Sequence, residues 1–413
     1  MNLSSFVGNR LSLKRDSRRS SAGVVIAVSG IAVSFIVMLL AIAVVTGFKK
    51  EITDKLTGFN AQITVLPAST GPDPANQGPI HYSDNLHRVI SKIVPGAEIS
   101  LAINQPAVFK TDSAFQGVIL RGMDPNGAWN FVEENMTAAT GIEGLVISRH
   151  TADALGIKAG EKLMTHFFDG SHIRSRNIPV KGIYESHFSD FDNSIAFIRI
   201  SELQEIFDVD SMTATSLEIR GLGNKDLDKV TESLYQALLA YSAENLEDGG
   251  SPAQFYRVEN LNTQCSIYIN WLNLLDTNVV VILVLMILVS CFTLISSLFI
   301  IILERVNMIG LFKAMGATNL QIRRIFIYMA QRLVVRGLLI GNIIGLGIIF
   351  LQLKFRLFPL DAEAYYLSFV PMNISWLTVI LLNIGVIVMT WLILILPSLL
   401  ISTLSPARSI RYE

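Results

Sequence analysis

The sequence predicts a membrane protein with four transmembrane α-helices and a large, two-lobed α+β domain inserted between the first and second of them. Three observations carry that class. Of the 413 residues, 51% are hydrophobic and only 16% charged, against about 25% charge in an ordinary soluble domain. Four long stretches run uncharged, three of them past and one just short of the ~20 residues that a helix needs to cross a hydrocarbon core about 30 Å thick. The formal net charge of −1 divides into a basic and an acidic part that follow those stretches. Low charge with high apolar content excludes a disordered chain, and a total of two cysteines, Cys265 and Cys291, excludes a disulfide framework. The same composition argues against a purely soluble enzyme.

The first uncharged stretch, residues 20–48, lies between Arg19 and Lys49. Basic residues precede it and Ala41-Ile42-Ala43 resembles a cleavage site. Its apolar run is nearly twice the roughly 7–15 residues of a signal sequence, so it is expected to stay as a span. The helical pattern continues past the apolar run. Phe48, Ile52, Leu56 and Phe59 fall on one face and Lys49, Lys50, Glu51, Asp54 and Lys55 on the other, with Gly58 as the expected stop. A helix over 22–57 measures roughly 54 Å, about 20 Å more than the hydrocarbon core requires. The second stretch, residues 277–303, has a matching lead-in of Leu261, Cys265, Tyr268, Trp271 or Leu272, and Leu275. A continuous helix over 261–303 follows, and the two extensions side by side form a stalk between membrane and domain.

The third stretch, 337–353, is short, but Arg336 and Lys354 snorkel to the interfaces, and the span is expected over 325–354. Gly337, Gly341 and Gly345 at four-residue steps let another helix approach closely. The fourth lies in the uncharged run 364–407, where Pro371 and Pro397 suggest its limits, with a span over 373–402 and a tail over 403–413.

Charge sets the orientation. The segment 1–21 carries Arg10, Lys14, Arg15, Arg18 and Arg19, the loop after the second span Arg305, Lys313, Arg323, Arg324, Arg332 and Arg336, and the tail Arg408 and Arg411. With their few acidic residues these segments total +10, while residues 49–276 hold 18 basic and 29 acidic residues. Excess Lys and Arg marks the cytoplasmic side. Both termini and the loop 304–324 are therefore expected inside, the domain 58–260 and the neutral loop 355–372 outside.

The domain reads as mixed. Strand-like runs cover 61–66, 107–110, 115–120, 177–184, 194–200 and 216–220, helix-like runs 83–93, 147–155, 200–207 and 224–242, and 67–79 is a Pro- and Gly-rich loop. The order suggests a split α+β unit interrupted by a second lobe over about 124–200. No catalytic constellation appears. His81, His87, His150, His166, His172 and His187 lack metal-ligand spacing and read as surface or turn residues. The two cysteines, one outside and one within the membrane, read as packing residues. Neither a Gly-x-Ser-x-Gly nor a Gly-x-x-x-x-Gly-Lys-Ser/Thr pattern occurs. The chain is not expected to be an enzyme or to hold a cofactor or metal, so any ATP and Mg²⁺ belong to a separate subunit.

After the second span come Glu304, Arg305, then Ile309-Gly310-Leu311-Phe312-Lys313-Ala314-Met315-Gly316-Ala317. A short helix with Ile309, Phe312 and Met315 on one side, closed by Gly316, suits either the membrane surface or a groove on a partner. This stretch resembles the coupling helix of FtsX/MacB-type ABC permeases. Gly47-Phe48-Lys49-Lys50-Glu51 with Gly58-Phe59-Asn60, and the terminal Pro406-Ala407-Arg408-Ser409-Ile410-Arg411-Tyr412-Glu413, resemble the lipoprotein-releasing LolC/LolE branch.

That resemblance implies a periplasmic domain, an inner-membrane location, a dimer of ATPase subunits docked on residues 304–317, and a second permease, identical or related. It also implies a lipoprotein substrate that enters between the first and second helices and passes to a periplasmic carrier by mechanotransmission. An apolar cavity suits acyl chains, each buried CH₂ contributing about 0.8 kcal/mol, and Met38, Ala41, Val45, Phe48, Val280, Val284 and Ile287 are its candidate lining. For each of them a plain lipid-facing or packing role is the alternative. The carrier-gripping hairpin of the family corresponds to 166–179, which looks shorter and lacks a proline at its tip. A MacB-like efflux permease and an FtsX-like regulator of a cell-wall hydrolase are the competing readings.

Overall fold

A computed structural model of the chain describes residues 20–68, 78–124, 129–139, 144–169, 172–223, 226–247 and 254–394. They form two compact units. Among the described residues, one draws on those up to Lys50, on Leu272–Pro359 and on those from Phe369 onward, the other on those between Glu51 and Trp271 and on Leu360–Ser368. The basic tails and the terminal motif at 406–413 lie outside the described residues.

The first unit is built on α1 (Ser20–Phe59), α9 (Ser266–Glu304), α11 (Asn319–Phe355) and α13 (Trp376–Ile393), with the short α10 (Val306–Ala314) between α9 and α11. Each of the four long helices is apolar and long enough to cross a membrane. Ile31, Phe35 and Leu39 of α1, Leu294 and Leu298 of α9, Phe326 and Val334 of α11, and Val379 and Val386 of α13 are buried in one core. The glycine steps of α11 face α1. A Cβ at Gly337, Gly341 or Gly345 would stand 2.9 Å from Ile31, 3.0 Å from Phe35 or 2.7 Å from Leu39, so the missing side chains are what permit this approach. Through Asn342, next to Gly341 in sequence, α11 meets α13 in a reciprocal amide pair. Asn342 donates to Asn383 Oδ1 at 2.8 Å and Asn383 donates back to Asn342 Oδ1 at 3.2 Å.

Helix limits differ from the expected ones for local reasons. α1 runs through Gly58, which is no left-handed stop; its Cβ would stand 2.1 Å from the Phe131 ring, so Gly58 is there for a close approach. The helix expected over 261–303 is divided into α8 (Leu261–Gln264) and α9 at Cys265, although the Ile269 N–H still bonds the Cys265 carbonyl at 3.0 Å. α11 starts at Asn319 rather than 325. α13 starts at Trp376 rather than 373, because Ser375 caps it, accepting from Thr378 N–H at 3.1 Å. Residues 371–373 instead lie against α1, where Asn373 N–H bonds the Ala43 carbonyl at 2.9 Å. Gly47 makes room for them, since a Cβ there would meet the Pro371 carbonyl oxygen at 2.6 Å. The rest of the fourth expected span, 395–402, lies outside the described residues.

In the second unit β1 (Ile63–Pro67), α2 (Asp84–Ile93) and β3 (Glu98–Lys110) are matched by β11 (Ser216–Arg220), α7 (Leu227–Glu247) and β12 (Tyr256–Asn260). The strands lie in the order β12-β1-β11-β3, all antiparallel, the pattern of a split β-α-β fold. Ile63, Val65, Leu217 and Ile219 bury against Leu86 and Ile90 of α2 and Leu234 and Leu238 of α7. A further pair, β2 (Ile80–His81) with β10 (Thr213–Ala214), stands apart.

The second lobe is not a separate insert over 124–200. β4 (Phe115–Met123), β6 (Leu145–Ser148), β7 (Lys162–Asp169), β8 (His172–Tyr184) and β9 (Ile195–Arg199) join β3 so that the pairings β3–β4–β9–β6–β8–β7–β3 close on themselves. This ring therefore borrows β3 and β4. Phe109, Leu120, Leu145, Leu163, Phe167 and Val180 fill it, with Leu155 of α4 (Arg149–Leu155) and Leu203 of α6 (Ile200–Phe207) packed on the same core. Pro106 sits mid-strand in β3 where pairing to β11 has ended at Ala102 and pairing to β7 begins at Ala107. Its missing N–H falls in that gap. β5 (Met136–Ala139) pairs with β8 at the edge. The helix expected over 147–155 begins two residues later, at Arg149, because Leu145–Ser148 is strand, fully buried and without alternation.

Candidate functional site

The turn from α9 to α11 is a fixed corner. α10 ends in a Schellman motif: Ala317 N–H bonds the Phe312 carbonyl at 2.9 Å and Gly316 N–H that of Lys313 at 3.0 Å, with Gly316 at φ +88°. Two residues later Thr318 opens α11 with a capping box, its hydroxyl accepting from Gln321 N–H at 3.3 Å and its own N–H donating to Gln321 Oε1 at 2.9 Å. The Thr-x-x-Gln pattern is readable in the sequence and accounts for the earlier start of α11. Gly316→Ala is expected to destabilise the corner by about 1 kcal/mol, because a Cβ is strained at positive φ; thermal unfolding of the detergent-solubilised chain measures it.

The corner divides the expected coupling residues. Ile309 and Gly310 are buried, Ile309 within the core of the first unit, and Phe312 packs partly against that core. Leu311 and Ala314 face outward, Met315 is 74% exposed, and Gly316 is exposed beside it. Glu304 is exposed, while Arg305, Lys313 and Ala317 are half-buried. Of the expected apolar side only Met315 is exposed; Leu311 is exposed with it, as is Leu320 at the start of α11, while Ile309 and Phe312 turn to the core. The physical reason is that α10 spends one side on its own unit.

The seven candidate lining residues are similarly divided. Met38 is fully buried in the first unit's core and Phe48 is buried, whereas Ala41 and Val45 are half-buried. Ile287 packs partly against the same core and meets Met38 at one small cleft with Ser290, Cys291, Val386, Met389 and Thr390. Val280 and Val284 are 57% and 52% exposed. Met38 and Phe48 therefore serve packing within this chain, and Val280 and Val284 supply the open apolar face of α9. Near that face Lys49 and Asp276 pair at 2.6 Å between α1 and α9, an exposed bridge worth about 0–1 kcal/mol.

Within the second unit the last turn of α1 is clamped by side chains that sequence reading did not single out. Arg121 of β4 donates to the Phe59 carbonyl, and Arg220 of β11 to those of Thr57 and Asn60. Both cations suit the negative end of the helix dipole. Glu218, 1% exposed, holds both guanidiniums, Arg121 on Oε1 and Arg220 on Oε2 at 2.9 Å. The Phe59 ring stacks on Phe191 at 4.7 Å and meets Phe131 edge-on at 4.8 Å. Glu218 and Arg220 read locally as ordinary strand residues, and only the pairing of β11 with β1 and β3 makes them neighbours of α1. Cys265, buried nearby, accepts from Asn60 Nδ2 at 3.4 Å, and burial pushes its thiol up to about 11.

The β7–β8 hairpin ends in Asp169 and His172 with Phe168 opposite Ile173, both exposed. Its two tip residues lie outside the described residues.

Residues 24–236 match the family model for the MacB-like periplasmic core domain, and residues 280–406 that for the FtsX-like permease C-terminal region. The lipoprotein-releasing system transmembrane protein LolC of Xylella fastidiosa is 21% identical over an alignment of 417 residues, covering 93% of this chain and 92% of that one. LolE of Haemophilus influenzae is 22% identical over 406 residues, covering 92% of each. The periplasmic region of MacB from Actinobacillus actinomycetemcomitans superposes with a TM-score of 0.34 at 10% identity, covering 53% of this chain and 98% of that one.

Proposed function

The chain belongs to the FtsX/MacB-like permease family, and from that premise we propose that it is the permease subunit of an ATP-driven complex that extracts lipoproteins from the inner membrane. The observation that carries this reading is the match along nearly the whole chain to transmembrane proteins of lipoprotein-releasing systems. In this reading both termini and the α10 corner are cytoplasmic, as the charge distribution supports, and the second unit is periplasmic. ATP and Mg²⁺ are bound by a separate ATPase, which receives Leu311, Met315 and Leu320 in a groove. A second permease, identical or related, faces the open side of α9. Acyl chains leave the outer leaflet along Val280 and Val284, and the protein part is handed to a periplasmic carrier. In a homodimer the carrier contact falls to the β7–β8 hairpin, where Phe168 and Ile173 are exposed; in a heterodimer it falls to the related permease.

Purification from native membranes tests the assignment. An ATPase whose activity rises with added lipoprotein is expected to accompany the chain. No ATPase, or one that ignores lipoproteins and responds to a cell-wall hydrolase or a small efflux substrate, overturns the reading. Met315→Glu is the clean probe of the corner, because the side chain is exposed in this chain and the substitution leaves the core alone. A carboxylate forced into an apolar groove is expected to reduce ATPase recovery about tenfold or more. Gly310→Asp is a poorer probe, since Gly310 is buried and a loss there reports folding as well as docking.

A further inference from the structure

The connector between α11 and α13 lies between two membrane-length helices in sequence, yet Leu360–Ser368 belongs to the second unit. Two side chains hold it there. Lys55, in the last two turns of α1, donates from Nζ to the Tyr366 carbonyl at 2.9 Å and to the Ser186 carbonyl at 2.5 Å. Asp190, in α5 (Ser189–Asp192), accepts at Oδ2 from the Tyr366 hydroxyl at 3.2 Å and from the Tyr268 hydroxyl of α9 at 2.5 Å. Between these two anchors the Phe188 ring stacks on Tyr366, with centroids 4.4 Å apart and planes 12° from parallel, and meets Tyr268 edge-on at 5.1 Å. Leu367 is buried beside them.

The backbone of this contact is also unusual. His187 and Tyr366 have φ of 59° and 60°, a region that residues other than glycine seldom occupy. Such conformations persist where the surroundings over-determine them, and they gather at sites that must hold a shape. One short stretch, residues 186–192, thus receives the end of α1 through Lys55, the start of α9 through Tyr268, and the connector through Tyr366.

We propose that the connector is a third transmission arm: the domain grips it through Lys55 and Asp190, so that domain displacement reaches α11 and α13 as well as α1 and α9. This rests on the reading of the chain as a mechanically coupled permease. Lys55 is the pin and acts as a positioning residue. An ammonium has several donors and no acceptor, which lets one side chain tie carbonyls from two segments at once.

The test uses the full chain with its partner ATPase in proteoliposomes loaded with a labelled lipoprotein. Lys55→Met removes both donors and keeps the apolar stem, and Lys55→Arg keeps a donor. Lys55→Met is expected to release about tenfold less lipoprotein per ATP hydrolysed, the factor that a hydrogen bond to a charged group is worth, with ATP hydrolysis unchanged to within about twofold. Lys55→Arg is expected to restore most of the release. In parallel, hydrogen exchange on the detergent-solubilised chain is expected to show amides of 360–368 opening about tenfold more often in Lys55→Met, with the remaining domain unaffected. Unchanged exchange over 360–368 overturns the pin, and faster exchange with an unchanged release ratio overturns the arm. Joint loss of hydrolysis and release with a lowered unfolding temperature reduces Lys55 to a structural residue, which also overturns it. A native complex that releases no lipoprotein overturns the functional reading instead, and the exchange measurement still decides whether Lys55 holds the connector.

Discussion

Replacing Glu218 with alanine is expected to destabilise the second unit by about 3–5 kcal/mol, the usual cost of removing one member of a buried ionic network. The carboxylate is the shared partner of Arg121 and Arg220, and all three are largely buried. The network has nothing in reserve. The Nε groups of both arginines are buried without a hydrogen-bond partner among the described residues, so alanine leaves two guanidinium charges facing each other with only the α1 carbonyls for company. Chemical unfolding followed through a domain probe measures the loss, and a change below about 1 kcal/mol contradicts the role given to Glu218. A pH dependence accompanies it. Burial pushes the Glu218 carboxyl up, but Arg121 and Arg220 more than reverse this and hold it below its ordinary 4.5. A carboxyl depressed in the folded state contributes its full stability above the unfolded value and loses it as pH falls through the folded one. The wild-type domain should therefore weaken below about pH 4.5 more steeply than Glu218→Gln, which has no such proton to take up.

Gly341→Leu is expected to separate α11 from α1 and to destabilise the first unit by about 3 kcal/mol, at the upper end for an overpacked core. Even the first added atom stands 3.0 Å from Phe35 and 3.2 Å from the Ala32 carbonyl oxygen. Phe35 is itself fully buried, so it has nowhere to move. The control lies six residues further along the same helix. Nothing stands within 4 Å of a Cβ on Gly347, and Gly347→Ala should be neutral or stabilising by up to about 1 kcal/mol through helix propensity. The thermal midpoint of the purified chain in detergent distinguishes the two. Equal behaviour of both variants contradicts close packing at Gly341.

The membrane-length helices were legible because one property, absence of charge over a sufficient length, marks them locally. The glycine spacing was legible too, but its partner was not, since nothing in residues 337–345 names α1. The signal for the start of α11 ahead of residue 325 is the Thr318–Gln321 capping pair, which stands outside the apolar run that marks the span. In the domain, Leu145–Ser148 has no alternation to tell a buried strand from a helix turn. Ring closure through β7 and β8 depends on pairings far apart in sequence, which local pattern does not reveal. The candidate site shows the same division. The apolar character of the α10 stretch was evident, but which side it spends on its own core, leaving Met315 outside and Ile309 inside, is decided by packing. The clamp of Glu218 with two arginines and the pin at Lys55 have no local signature at all.

The amide pair of Asn342 and Asn383 restricts how the first unit can deform. Each carboxamide is satisfied by the other and by the carbonyl four residues before it in its own helix. Telescoping α13 along α11 by one turn, about 5.4 Å, breaks both bonds between the two carboxamides and leaves each with the carbonyl of its own helix alone. The two helices are thereby notched together: they can lean as one plank, but neither can slide past the other.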